Sequence, residues 1–171
     1  MNFRDITIQT SRFVLRSLTL SDATEKYLGW MKEDSVAKYI TAAPDTQSLA
    51  SLESYILEKS TKDDCLFLGV FDRVSGEHIG NIKYEPICFI RKEAVMGVLL
   101  GDSYWRGKNV FNEIFLASQQ WLLDTYSIKA IVLGVDRSNA AAIRAYEKAG
   151  FTIEPDADTD DSFALKMMFT S

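Results

Sequence analysis

The sequence predicts an α/β (α+β) protein: a mixed β-sheet with helices on both faces, in one domain over residues 1–171. Three observations predict it. Strand-sized apolar runs alternate with stretches whose apolar residues recur at three- and four-residue steps. The elements run strand, two helices, three strands, helix, strand, helix, two strands. Composition is globular, with 47 % apolar, 12 % aromatic and 25 % charged residues and only nine glycines and three prolines. A chain of 171 residues buries a sizeable core without disulfide or metal.

The first strand is expected over Ile6–Leu18, which alternates loosely. Asp22, with Glu25 three residues on, signals a helix start. That helix carries Ala23, Tyr27, Trp30 and Met31 on one face. A loop at Ala42-Ala43-Pro44-Asp45 precedes a second helix from about Thr46 to Lys59, with Leu49, Leu52 and Ile56 as its apolar stripe. Three antiparallel strands follow at Cys65–Asp72, His78–Phe89 and Ala94–Gly101, the first two joined by a turn at Ser75-Gly76. Pro86 marks a bend or an edge in the middle one. The period then changes: Val110–Tyr126 places Phe111, Ile114, Phe115, Ser118 and Leu122 on one helical face. Lys129–Asp136 is a strand, and Ser138–Ala149 a helix capped by Ser138 or Asn139, with Gly150 where a left-handed terminator belongs. Phe151–Glu154 and Phe163–Phe169 are the last two strands.

Several function classes are excluded at once. The net charge is −5, and Lys and Arg cluster no further than pairs such as Arg91-Lys92, so nucleic acid is not an expected partner. The longest apolar runs, Leu66–Phe71 and Ala94–Leu100, are far short of the roughly 20 residues that span a bilayer, and Met1–Ile6 holds no apolar signal core. No membrane partner and a cytoplasmic location are therefore expected. Cys65 and Cys88 lie apart in apolar surroundings and read as reduced core thiols. With one histidine, His78, neither a zinc site nor a Ser-His-Asp triad is expected. Asp156-Ala-Asp158-Thr-Asp160-Asp161 has calcium-like spacing, but the loop glycine is missing and Met167 stands where a closing Glu belongs. It reads as a solvated hairpin loop.

Two segments carry candidate chemistry. In Leu99-Leu100-Gly101-Asp102-Ser103-Tyr104-Trp105-Arg106-Gly107-Lys108-Asn109-Val110, a glycine-containing basic turn opens a helix. Free N–H groups and the positive end of the helix dipole there bind phosphate, unless the turn is only a solvated surface loop. No Gly-Lys-Ser/Thr follows at Walker spacing. In Asn139-Ala-Ala-Ala-Ile-Arg-Ala-Tyr146-Glu-Lys-Ala-Gly-Phe151, Asn139 stands at a helix mouth and Tyr146 two turns along the same face. Spacing alone favours a cap and a core aromatic over a shared cleft.

Together these segments resemble the acyl-CoA-binding core of the GCN5-related N-acetyltransferase (GNAT) superfamily. Thr10-Ser-Arg-Phe-Val-Leu-Arg-Ser-Leu-Thr-Leu-Ser-Asp22 is similar to the opening of its ribosomal-protein N-terminal acetyltransferase subgroup. The resemblance covers nearly the whole chain. It implies a splayed, mostly antiparallel sheet of six to seven strands, with acyl-CoA inserted between the fourth and fifth. It implies backbone pairing of Val98, Leu99 and Leu100 with the pantetheine arm, as by an added strand. The pyrophosphate would rest on the amides of Arg106, Gly107, Lys108, Asn109, Val110 and Phe111. Asn139 would bond the pantetheine, and Tyr146 would stand at the thioester sulfur as general acid. The expected partners are acetyl-CoA, as co-substrate, and a primary amine that attacks it directly, with no metal. A homodimer is compatible with this reading.

The chemistry makes definite demands. An alkylamine with pKa near 10 is only about 0.1 % neutral at pH 7, a penalty of roughly 4 kcal/mol. A thiolate leaving with pKa near 8.5 gains from a phenol poised to protonate it. The usual loop pattern is Arg/Gln-x-x-Gly-x-Gly/Ala, whereas here Asn109 and Phe111 replace small residues. Asn tolerates positive φ, but Phe111 is expected to crowd the phosphates. The glutamate that protein N-terminal acetyltransferases carry in the fifth strand is Gly134. Glu85, Glu93 and Asp102 are the candidate bases, and Glu85 is preferred because it lies inside a strand. Tyr27-Leu-Gly-Trp30 and His78-Ile-Gly-Asn-Ile-Lys83 resemble members that acetylate small molecules, nucleotide-linked amino sugars among them. Protein N-terminal or polyamine acetylation, and a non-catalytic acyl-CoA-binding module, are the alternatives. Tyr27, Trp30, Tyr39 and Tyr55 are either core or a stacking wall for an acceptor.

Overall fold

A computed structural model describes residues 3–33, 48–155 and 164–171. Eight strands form one sheet in the order β1-β2-β3-β4-β5-β6-β8-β7. These are β1 Thr7–Gln9, β2 Phe13–Ser17, β3 Leu66–Asp72, β4 His78–Cys88, β5 Glu93–Leu100, β6 Ala130–Asp136, β7 Thr152–Ile153 and β8 Ala164–Thr170. The helices are α1 Glu25–Lys32, α2 Leu49–Thr61, α3 Val110–Tyr126 and α4 Ala140–Lys148. Every pairing is antiparallel except β5 with β6.

The expected first strand is two. Thr10 turns the chain, its N–H donating to the Phe13 carbonyl at 2.9 Å, so Ile6–Leu18 folds back on itself as β1 and β2 and the sheet has eight strands. Asp22 does not open α1. Its carboxylate reaches back to the Thr19 N–H at 2.7 Å and to Arg16 at 2.8 and 2.9 Å, closing a short 3-10 turn at Leu20–Asp22. Thr24 is the cap of α1, accepting from the Tyr27 N–H. The bend expected at Pro86 is present as a register shift between Tyr84 and Ile87. The loop at 42–45, the Thr46 end of the second helix, Tyr39, Phe163 and the acidic run 156–161 lie outside the described residues.

Alternation along each strand divides the core between two faces. One face holds Leu66, Leu68, Val70, Ile82, Tyr84, Met96, Ile131 and Leu133 under α3 and α4. The other packs Phe67 and Phe71 against Tyr27, Leu28 and Trp30 of α1 and Leu52 and Ile56 of α2. Leu52 and Ile56 are fully buried, and truncating either to Ala costs about 2–5 kcal/mol. A buried polar pair in this core is satisfied: Tyr84 and Ser118 share a 2.8 Å hydrogen bond.

Candidate active site

The sheet comes apart in its middle. β5 and β6 pair only at Glu93↔Ala130, Ala94↔Ile131 and Val95↔Val132. Beyond that, β5 stays on β4 as far as Leu100↔Gly80, while β6 follows β8 through seven residue pairs. From Met96 to Leu100 the β6-facing edge of β5 therefore has no strand partner among the described residues. Unpaired strand edges accept an extended partner, and Val98, Leu99 and Leu100 lie on this one.

After β5 the chain enters the basic turn. The Gly101 and Asp102 amides both donate to the Ile79 carbonyl, and Gly101 lies so close under the Trp30 indole that a Cβ there would collide with it. Asp102 accepts from the Tyr104 N–H at 3.0 Å. The Arg106 and Lys108 amides are spent inside the turn, on the Ser103 and Trp105 carbonyls. The amides of Gly107 and Asn109 have no partner among the described residues, and those of Val110 and Phe111 belong to the orphan first turn of α3. Gly107 has φ 75 and Asn109 φ 58, so Asn109 keeps the left-handed turn that a glycine would otherwise supply. The Phe111 ring does not crowd this mouth. It points inward, with ring centroids 4.9 Å from Tyr146 and 5.4 Å from Phe115. From behind, Glu113 holds the loop: its carboxylate accepts from the Thr10 hydroxyl, the Arg12 N–H and the Arg12 guanidinium. Arg106 reaches Glu33 at 3.3 Å, and the Lys108 ammonium sits 3.1 Å from the Tyr104 ring centre.

α4 brings the second segment to the same place. Asn139 is its cap, Oδ1 accepting from the Ala142 N–H at 3.2 Å. Its side-chain NH2 stays available. Two turns on, the Tyr146 ring packs edge-on to Phe111, and its hydroxyl has no hydrogen-bond partner among the described residues. Burial pushes the Tyr146 phenol up to about 12, so it holds its proton at neutral pH. Gly150 at φ 104 ends the helix as expected.

Glu85 stands differently from the base the sequence suggests. Lys59, Lys62 and Lys83 all contact its carboxylate, at 2.8, 2.6 and 3.2 Å. Burial opposes its charge, but the hydrogen bonds from Lys59 and Lys62 and the charge of Lys83 outweigh that and push it down to about 2. A carboxylate so stabilised as an anion takes a proton from an amine poorly. The other candidates are also engaged. Asp102 caps its turn and lies 3.4 Å from Lys26, and Glu93 sits at the joined end of β5, 3.9 Å from Arg91. Tyr27 and Trp30 are buried core, and Tyr55 is half-buried against Phe67 at 5.6 Å between ring centres. What the sequence did not reveal is the lysine cluster. Its only signal was Lys59 in the last turn of α2 and Lys62 just past its end, with Lys83 and Glu85 at alternate positions of one strand. Among the described residues no helix is long and apolar enough to cross a membrane.

The parting of β5 from β6, the open amides at the head of α3 and a tyrosine that keeps its proton suit acyl transfer from a thioester, and the class is an acetyl-CoA-dependent N-acetyltransferase. Residues 12–152 match the acetyltransferase (GNAT) domain family, and the chain belongs to it. Solved structures agree in fold. An acetyltransferase from Agrobacterium tumefaciens shares 22 % identity at TM-score 0.80, covering 100 % of this chain and 98 % of its own. Spermidine N-acetyltransferase from Vibrio cholerae, solved with CoA and spermine, shares 18 % at TM-score 0.81 over 94 % of this chain and 96 % of its own. RimL, a ribosomal L7/L12 alpha-N-protein acetyltransferase solved with coenzyme A, shares 16 % at TM-score 0.81 over 96 % and 98 %. No curated protein matches the sequence significantly.

Proposed function

We propose that the chain, as one cytoplasmic domain, moves an acetyl group from acetyl-CoA to the primary amine of a small molecule such as a nucleotide-linked amino sugar. Acetyl-CoA supplies an activated thioester whose carbonyl the amine attacks. The backbone edge at Val98, Leu99 and Leu100 pairs with the pantetheine arm, and the Asn139 side-chain NH2 donates to it. The free amides of Gly107, Asn109, Val110 and Phe111 meet the pyrophosphate at the positive end of α3. Arg106 and Lys108 contribute charge to that mouth rather than amides. Tyr146 Oη donates its proton to the departing sulfur. Glu85 is a counter-ion in this reading, and the proton of the attacking amine leaves to solvent over the open sheet.

The observation that carries the reading is Tyr146: an unpartnered phenol, kept protonated by burial and braced by Phe111 of the phosphate-binding turn. A small acceptor is supported by Gly134, where a Cβ would meet nothing within 4 Å. The test incubates the protein with acetyl-CoA and a panel of nucleotide-linked amino sugars, polyamines and short peptides, with products read by mass. Acetylated amino sugar is expected. Product from peptides alone would move the assignment to protein N-termini. Acetyl-CoA binding without any product would leave a binding module.

A further inference from the structure

The face of the sheet beneath α1 and α2 carries a charge arrangement that the transfer chemistry does not use. Lys59, Lys62 and Lys83 converge on the Glu85 carboxylate, and Glu58 adds one oxygen 3.3 Å from Lys59 and 3.7 Å from Lys62. Lys83 also donates to the Tyr55 hydroxyl at 3.1 Å. Three cations thus face two carboxylates, and each ammonium carries three donors, more than these acceptors can take up. The centre of the group is drawn out of water: the side chains of Lys59, Lys83 and Glu85 are 13 %, 16 % and 12 % exposed, with Lys62 and Glu58 at its open rim. A surplus positive charge in such a place acts more strongly than one in bulk solvent.

Its position gives the surplus a purpose. Lys83 pairs with Gly97 across β4 and β5, two residues past Val95 of the last β5–β6 pair. Gly97 and Gly134 are exposed, and a Cβ added to either would meet nothing within 4 Å. The two glycines leave a flat, open floor on both strands where they part, with the lysines along its β4 side. We propose that Lys59, Lys62 and Lys83, assembled on Glu85, form a subsite for an anionic group of the acceptor, a carboxylate or a phosphate. The substrate class is then amines that carry an acidic group, and polyamines are excluded. An incoming anion supplies the acceptor oxygens the ammoniums lack, in charge-assisted hydrogen bonds. A polyamine's second ammonium meets like charge instead. All three lysines are pushed up from their ordinary range, Lys59 by Glu85 and Lys83 by Tyr55 and Glu85, both against burial, and Lys62 chiefly by its bond to Glu85, so the charge persists at neutral pH.

The inference rests on the acetyl-transfer reading, so its test has two arms. In the first, kcat/KM is compared within matched pairs: glucosamine 6-phosphate against glucosamine, and alanyl-alanine against its C-terminal amide, with spermidine alongside. At least one anionic member is expected to exceed its neutral partner about tenfold, and the pair that shows it separates phosphate from carboxylate. Lys83→Gln and Lys59→Gln collapse that ratio toward one. Glu85→Gln removes the competing carboxylate and raises it, a gain that misfolding does not produce. In the second arm, glucosamine 6-phosphate and alanyl-alanine raise the melting temperature of the protein saturated with CoA, and at least one of these shifts is lost in Lys83→Gln. Equal kcat/KM within both pairs, preference for spermidine, or a preference that survives the lysine substitutions overturns the proposal. If no amine is acetylated, the transfer reading falls by itself. The melting arm still decides the subsite, since shifts that are absent or unchanged in Lys83→Gln overturn it.

Discussion

Helices α3 and α4 both begin behind an asparagine, and the two mouths are built in opposite ways. Asn109 has φ 58 and ψ 29, and its side chain caps nothing, so the first-turn amides of α3 stay open to an anion. Asn139 has φ −83, and its Oδ1 closes on the Ala142 N–H, so α4 is sealed by its own residue. The left-handed residue turns the chain so that the side chain faces away and the amides face out. One helix end keeps its first-turn amides uncapped by a side chain, and the other is tied down at the start of the helix that carries Tyr146. The same residue type leaves one helix end uncapped by its side chain and caps the other.

That contrast can be broken at several points. The largest effect is expected on the rigid side, where Tyr146→Phe lowers kcat about a hundredfold, the span of one general acid. Calorimetric affinity for acetyl-CoA stays within about twofold, because the ring still packs on Phe111. Next, Asn109→Val forces a β-branched residue into the left-handed region. The strain, about 1–2 kcal/mol, appears as acetyl-CoA binding roughly tenfold weaker with little change in kcat. Asn139→Ala removes a cap and lowers unfolding free energy by about 1 kcal/mol, measured by urea denaturation. The smallest effect sharpens the comparison by its absence. Because burial holds the Tyr146 phenol up at about 12, its proton stays on throughout the neutral and mildly alkaline range. Saturated kcat should therefore not fall between about pH 7 and 9.5. A decline near pH 9 that vanishes in Tyr146→Phe would remove the tyrosine from the acid's role.

Much of this was legible before any coordinates. The three-strand meander, the long helix with Phe115 and Leu122 on its buried face, and the Asn139-to-Gly150 helix each have period and punctuation in agreement. Where reading failed, long-range partners had taken over a local signal. Asp22 and Glu25 look like a helix cap, but Arg16 and Thr19 claim the Asp22 carboxylate. Thr10-Ser11-Arg12 has no glycine or proline to mark a turn, and its cohesion comes from Glu113, a hundred residues away. The site divides in the same way. Asn109, Tyr146 and the turn between β5 and α3 stand out only together, through the family resemblance, because type and spacing alone fit a surface loop, a cap and a core aromatic. Glu85 was judged by its place in a strand, while its basicity is set by lysines that only the packing of α2 brings near. Phe111 looked obstructive because sequence gives a side chain's size but not its direction.

The seat of Gly101 under Trp30 ties the two walls of the site together in a way that reaches beyond this chain. The strand ends and the basic turn begins at a residue with no room for a methyl group while an indole lies over it. Positions 30 and 101 are thus a lock and its clearance. Among natural variants of this protein, a side chain at 101 should occur only with something smaller than tryptophan at 30. Helix α1 and the turn after β5 would then change size together, and neither would drift alone.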